Sequence, residues 1–185
     1  MPHSSSISPL ISPKDIPFEK KDIVIIDTRS GPDAYKRYNA NHLEGALHAD
    51  LDRDLSLKPI DPAYGGRHPL PELKDFVVLL GKLGITPSSR VVVYDDKGGA
   101  NAAARFWWML RAIGHSRVQV VDGGLSAIIG EGLPLSSAEH KPASTSPYPT
   151  NGWKLPTVTL DDVKSAVKDP EALVIDVREA YRYRG

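Results

Sequence analysis

The stretch Val91-Val92-Val93-Tyr94-Asp95-Asp96-Lys97-Gly98-Gly99-Ala100-Asn101 decides the fold. Four apolar, mostly β-branched residues in a row suit a central strand of a parallel sheet, covered on both faces. The polar, glycine-bearing loop that follows runs into Phe106, Trp107, Leu110 and Ile113, apolar at helical spacing. Asn101 reads as the N-cap of that helix and Gly114 as its stop. Outward from this unit, Ile23-Val24-Ile25-Ile26 and Val118-Gln119-Val120-Val121 are two further strands of the same kind. Leu73, Phe76, Val77, Leu80 and Leu83 predict a helix ended by Gly84. Ala46-Leu47-His48-Ala49 adds a short strand, and Pro59 to Pro71 reads as an ordered loop. Strand and helix in alternation specify an α/β domain with a central, mostly parallel sheet flanked by helices in three layers.

Composition narrows the chemistry. In 185 residues, 23 Lys and Arg balance 23 Asp and Glu, so the chain has no net charge and lacks the broad basic field that draws nucleic acid or anionic membranes. There is no cysteine, which excludes disulfides, thiolate metal sites and a cysteine nucleophile within these residues. No apolar run approaches the roughly 20 residues of a membrane span, and the start has no basic-then-apolar leader. The expectation is a cytoplasmic protein without a partner membrane or nucleic acid. None of the histidines (His3, His42, His48, His68, His115, His140) has a paired metal spacing, so no metal and no cofactor are expected.

The end of the chain repeats its beginning. Ile25-Ile26-Asp27-Thr28-Arg29 corresponds to Val174-Ile175-Asp176-Val177-Arg178, and Asp33-Ala34-Tyr35 to Glu179-Ala180-Tyr181. Ahead of each lies a matching helical entry, Ile11 to Ile16 and Val158 to Val163. Between the copies, Ser136 to Pro156 is a proline- and serine-rich linker by composition. Thr159 caps a helix carrying Leu160, Val163 and Val167, and Leu173-Val174-Ile175 reads as a buried strand. Residues 9–137 are therefore one domain, 138–156 a linker, and 157–185 the truncated beginning of a second copy, so the chain is expected to be a piece of a longer tandem protein.

These motifs resemble the rhodanese superfamily, and their order resembles the tandem thiosulfate and 3-mercaptopyruvate sulfurtransferases. The resemblance rests on Ile25 to Arg29, on Tyr38-Asn39-Ala40-Asn41-His42-Leu43-Glu44-Gly45-Ala46, on Gly66-Arg67-His68-Pro69-Leu70-Pro71, on Val91 to Asp96 with Arg105-Phe106-Trp107-Trp108, and on Val121-Asp122-Gly123-Gly124-Leu125. It departs once, with Glu44 where the family has proline. It implies a rhodanese-like domain in a non-catalytic first copy. The complete protein would be a sulfurtransferase moving sulfane sulfur through a cysteine persulfide outside this segment. The segment alone would be inactive. Its partners would be a small anionic sulfur donor, a thiophilic acceptor and the remainder of the second rhodanese domain. The competing reading is a non-catalytic binding or regulatory module on the same fold.

By alignment with the family, Asp95 takes the place of the cysteine. A carboxylate cannot form a persulfide, and the favoured reading is that Asp95 accepts its own loop's N–H groups. A Cys-x5-Arg phosphatase loop is excluded by Asp95 and Asn101, and the glycines are too sparse for a dinucleotide or Walker loop. Among the charges, the resemblance assigns Arg182 to the anionic donor in the complete protein. Arg178, like its counterpart Arg29, is read as a substrate neighbour or, in preference, as a partner of the adjacent Asp176. Arg67 and His68 either face an interdomain cleft or brace their loop. His42 is read as fixing a turn, and the Phe106-Trp107-Trp108-Met109 run as core.

Overall fold

The computed structural model describes residues 7–58, 60–61, 66–178 and 180–185. Part of the expected Pro59–Pro71 loop (59 and 62–65) and Glu179 of the repeat lie outside the described residues. The chain divides into two units, one ending at Lys154 and the other running from Leu155 to Gly185.

In the first unit the three β-branched runs are strands, as their composition dictates. Strands β1 (Leu10–Ile11), β2 (Ile23–Asp27), β4 (Leu47–His48), β5 (Arg90–Tyr94) and β6 (Val118–Val121) form one sheet in the order β1-β6-β5-β2-β4. Every pairing in it is parallel, with Ile25 opposite Val92 and Val93 opposite Val120. A second, two-stranded sheet pairs β3 (His42–Leu43) antiparallel with β7 (Leu135–Ser136).

Alternation along β5 divides the core. Val91 and Val93 point into a cluster with Phe76, Leu80, Phe106 and Met109, from α2 (Leu73–Lys82) and α3 (Ala102–Ala112). Val92 and Tyr94 point the other way, onto Ile11, Leu125 and Ile128, the last two from α4 (Gly124–Gly130). These four side chains of Val91 to Tyr94 are fully buried, each worth roughly 1.5–3 kcal/mol of transfer free energy. Helix α1 (Ala34–Ala40) seats Tyr38, whose hydroxyl donates to the Ala46 carbonyl at 2.7 Å. Helices α2 and α3 stop at Gly84 (φ +71°) and Gly114 (φ +89°), the left-handed residues that the sequence placed there.

Two expectations change. The segment expected as a linker, 138–156, is anchored at several points rather than free, and the first unit reaches into it as far as Lys154. Thr145 and Tyr148 donate their backbone N–H groups to the carbonyls of Gly81 and Val77 on α2, and Trp153 stacks on Phe76 and Trp108. Tyr148 is buried, with its hydroxyl 3.0 Å from His115 Nδ1. Prolines and serines gave this strap the composition of a linker; a few aromatic anchors hold it down.

The second unit carries α5 (Leu160–Ala166) and α6 (Ala180–Arg184). Thr159 and Asp162 form a reciprocal capping box at the start of α5, as expected. Leu173-Val174-Ile175, however, is not a buried strand: Leu173 is 83% and Ile175 70% exposed, outside any strand. An apolar run becomes a strand only when a neighbouring strand completes its hydrogen bonds, and this unit offers none among the described residues.

Candidate functional site

The loop between β5 and α3 folds around Asp95. Its Oδ1 accepts the backbone N–H groups of Lys97 and Gly99, both at 2.8 Å. Its Oδ2 accepts those of Asn101 at 3.1 Å and Ala103 at 3.0 Å. The carboxylate is 1% exposed. Asn101 occupies the N-cap position of α3 but makes no capping bond; the cap is Asp95, six residues earlier. The loop is thus an anion seat at a helix N-terminus, filled by a side chain of the same loop. Beside it, Arg37 holds Asp96 at 3.0 Å. Asp95 is thus occupied with the N–H groups of its own loop.

At the C-terminal end of β2, Asp27 and Arg29 form a buried pair. Arg29 donates its backbone N–H to Asp27 Oδ1 at 2.9 Å and its Nη2 to Oδ2 at 2.6 Å and to the Asn41 carbonyl at 2.9 Å. Burial pulls the Arg29 guanidinium down, and the hydrogen bonds and charge of Asp27 more than reverse this, so its pKa is raised. The second unit repeats the motif: Arg178 donates its backbone N–H to Asp176 Oδ1 at 2.9 Å and its Nε to Oδ2 at 2.8 Å. The Arg178 side chain beside it, with its backbone N–H, holds the Asp176 carboxyl down at about 2. Arg178 is therefore engaged by its neighbour Asp176, while Arg182 lies exposed on α6.

Arg67 and His68 line one open pocket, with Asp52, Arg53, Ser56, Leu57 and Lys58 as the other wall. His68 Nε2 is 2.9 Å from Asp52 Oδ1. An ionised carboxylate only accepts, so the ring donates from Nε2. Arg53 is turned aside onto Asp54 at 2.7 Å. Lys58 and Arg67 leave the pocket cationic around an imidazole that a carboxylate orients. Asp52 went unnoticed in the sequence because it lies sixteen residues from His68, at no motif spacing.

The other residues singled out are structural. His42 Nδ1 lies 2.8 Å from the Tyr38 carbonyl and its ring stacks on Tyr38 at 4.1 Å, fixing the turn. Phe106 and Met109 are wholly buried, Trp107 Nε1 donates to the Val118 carbonyl and Trp108 packs on Trp153. Among the described residues no group of His, Asp and Glu could hold a metal ion, and no helix is long and apolar enough to cross a membrane.

The rhodanese-like domain family matches residues 15–131. The chain is 36% identical over 171 residues to a probable 3-mercaptopyruvate sulfurtransferase of Pseudomonas aeruginosa, covering 89% of this chain and 58% of that protein. It is 34% identical to the human 3-mercaptopyruvate sulfurtransferase, covering 84% of this chain and 50% of that one. It is 32% identical to the thiosulfate sulfurtransferase of Azotobacter vinelandii, at 98% and 64% coverage. Among solved structures, the 3-mercaptopyruvate sulfurtransferase SseA of Escherichia coli superposes with a TM-score of 0.77 at 26% identity, over 96% of this chain and 68% of that one. The chain spans about half the length of the curated relatives it matches. A parallel sheet in this order, a strand–loop–helix unit closed on an anion seat, and a family match over most of the first unit agree: the chain belongs to the rhodanese-like domain family.

Proposed function

We propose that this chain is the non-catalytic first copy, with the opening of the second, of a tandem sulfurtransferase acting on thiosulfate or 3-mercaptopyruvate. The observation that carries the reading is the anion seat. In a catalytic copy a cysteine thiolate occupies such a seat, stabilised by N–H donors and the helix dipole; here Asp95 fills it with all four donors engaged. The recurrence of the Asp-x-Arg geometry at 27–29 and 176–178 supports a second copy of the same unit.

The chemistry needs a thiolate outside these residues. With thiosulfate, the thiolate attacks the outer sulfur, an S–S bond forms, and sulfite leaves with the electron pair of the old S–S bond. With 3-mercaptopyruvate, the C–S bond breaks, the persulfide forms, and the thiol proton ends on the methyl group of pyruvate. Either donor is a small anion, suited to guanidinium groups, and Arg182 is the residue of this chain proposed to hold it. In the first unit, the pocket at Arg67 and His68 presents cationic and imidazole groups, a chemistry suited to a small anion. A nucleophilic acceptor then removes the sulfur.

The test is the coding sequence beyond Gly185 together with mass spectrometry of its product. A second strand–loop–helix unit with a cysteine, gaining the mass of one sulfur atom on incubation with donor, is expected. A longer product without such a cysteine would instead favour a binding module.

A further inference from the structure

We infer that Arg105 is a positioning residue for His68, closing a ring of constraints that holds the imidazole against Asp52. The inference deepens the proposed function and rests on it for its catalytic consequence. Arg105 lies one turn into α3, and its guanidinium is spent on two backbone carbonyls. Nε donates to the Leu55 carbonyl at 3.0 Å and Nη2 to the Pro69 carbonyl at 2.9 Å. No carboxylate pairs with it among the described residues, and burial alone pulls its proton affinity down. A charge kept in a partly desolvated place without a counter-ion is costly, so what it holds has to repay it.

What it holds are the two arms of the cationic pocket. On one arm a closed turn fixes Asp52 relative to Leu55. Asp50 Oδ1 accepts the N–H groups of Asp52 and Arg53, each at 2.9 Å, and its carbonyl accepts those of Asp54 and Leu55. On the other arm Pro69 follows His68 directly, and its carbonyl also accepts the Leu57 N–H at 3.1 Å. The ring therefore runs from Asp52 through the Asp50 turn to Leu55, across the guanidinium to Pro69, and back through His68 to Asp52 at 2.9 Å. The planar fork of arginine presents two donors on separate nitrogens in a fixed geometry. Lysine keeps the charge but offers one nitrogen, which cannot hold both carbonyls in this way.

The test compares Arg105→Lys and Arg105→Met with the parent chain by nitrogen-15 NMR of the histidine rings. It is run at alkaline pH, so that the spectra read which ring nitrogen carries the proton. In the parent, the His68 proton sits on Nε2, because that nitrogen donates to Asp52. Both variants are expected to shift His68 to the mixed tautomers of a solvent imidazole, while His42 and His115 keep their signals. Unchanged His68 signals in both variants would overturn the inference, as would a lysine variant identical to the parent or equal changes at all three rings. In the longer protein that carries the second copy, each variant is expected to lower kcat by about ten- to a hundredfold, the usual cost of a misplaced group. A tautomer shift in a longer protein with no donor turnover at all would leave the Arg105 inference standing and the proposed function refuted.

Discussion

Replacing Asp95 with alanine strips four backbone N–H groups of their acceptor at once. The Gly99 and Ala103 donors are buried, and a buried amide left unpaired costs about 1–3 kcal/mol. Those two alone give roughly 2–6 kcal/mol. The part-buried donors of Lys97 and Asn101 can turn to water and add little. We expect a loss of about 3–4 kcal/mol, a large share of the roughly 5–15 kcal/mol of an ordinary domain. Asparagine at 95 keeps one acceptor oxygen but turns an NH2 group onto the other pair of donors, so about half the loss is expected. Urea unfolding followed by tryptophan fluorescence reads the first unit alone, because Trp107, Trp108 and Trp153 all lie before Leu155. With a slope near 2 kcal/mol per M, the alanine variant moves the midpoint down by about 1.5–2 M. A shift worth less than about 1 kcal/mol for alanine, or an asparagine variant as stable as the parent, would refute the claim that Asp95 holds the loop.

A methyl group on Gly81 would meet the Thr145 and Ser146 carbonyl oxygens at 2.8 Å, so Gly81→Ala is expected to lift the strap and destabilise the first unit by about 1–3 kcal/mol. Faster proteolysis within 138–154 checks this; a gain of about 1 kcal/mol, as at an exposed helical glycine, would contradict it. Burial lowers the proton affinity of His115, with the charges of Arg117 and Arg111 acting the same way, and burial also lowers that of His48. Both folded values then lie below the unfolded value of about 6.5, so the unfolded chain takes up protons first as pH falls. Stability is expected to be level above about pH 7 and to decline below about pH 6.5, less steeply in His115→Gln; urea midpoints from pH 8 to pH 5 would show a flat or rising trend if this is wrong. Asp95→Cys is expected to leave the chain without saturable turnover of thiosulfate. The N–H seat would stabilise the thiolate, but Asp96 is adjacent, and the counterpart of Arg182 is Lys36, a point charge exposed on α1. Saturable turnover in that variant would show that the loop alone suffices.

What was legible in the sequence follows the range of the physics. The central strands announce themselves because a strand covered on both faces is apolar at every position, as Val91 to Tyr94 are. The ends of α2 and α3 are legible because a left-handed turn selects glycine at 84 and 114. The start of α3 at Asn101 was legible, and so was Asp95 as an acceptor for its own loop; that the Asp95 carboxylate and not the Asn101 side chain makes the capping bonds was not. Spacing suggests the nearest polar residue, whereas the loop curls back and delivers the Asp95 carboxylate to Gly99, Asn101 and Ala103. The local pairs Asp27–Arg29 and Asp176–Arg178 were readable because a single residue separates the partners. Asp52 with His68, and Arg105 with Leu55 and Pro69, were not, since only the tertiary fold brings them together. Composition misled at the strap, where Tyr148 and Trp153 outweigh the surrounding prolines and serines, while Leu173 to Ile175 is an apolar run with no sheet to join among the described residues.

The measurement that bears most directly on the account is donor turnover by two purified proteins side by side: this 185-residue chain and the protein extended through the second copy. Thiocyanate formation from thiosulfate and cyanide, and sulfide release from 3-mercaptopyruvate with a thiol reductant, are followed at equal molar concentrations. The account predicts saturable turnover of at least one donor by the extended protein, abolished by replacing its second-copy cysteine with serine, and none by the cysteine-free chain. Turnover proportional to the concentration of the 185-residue chain, or an extended protein inert towards both donors, would contradict it.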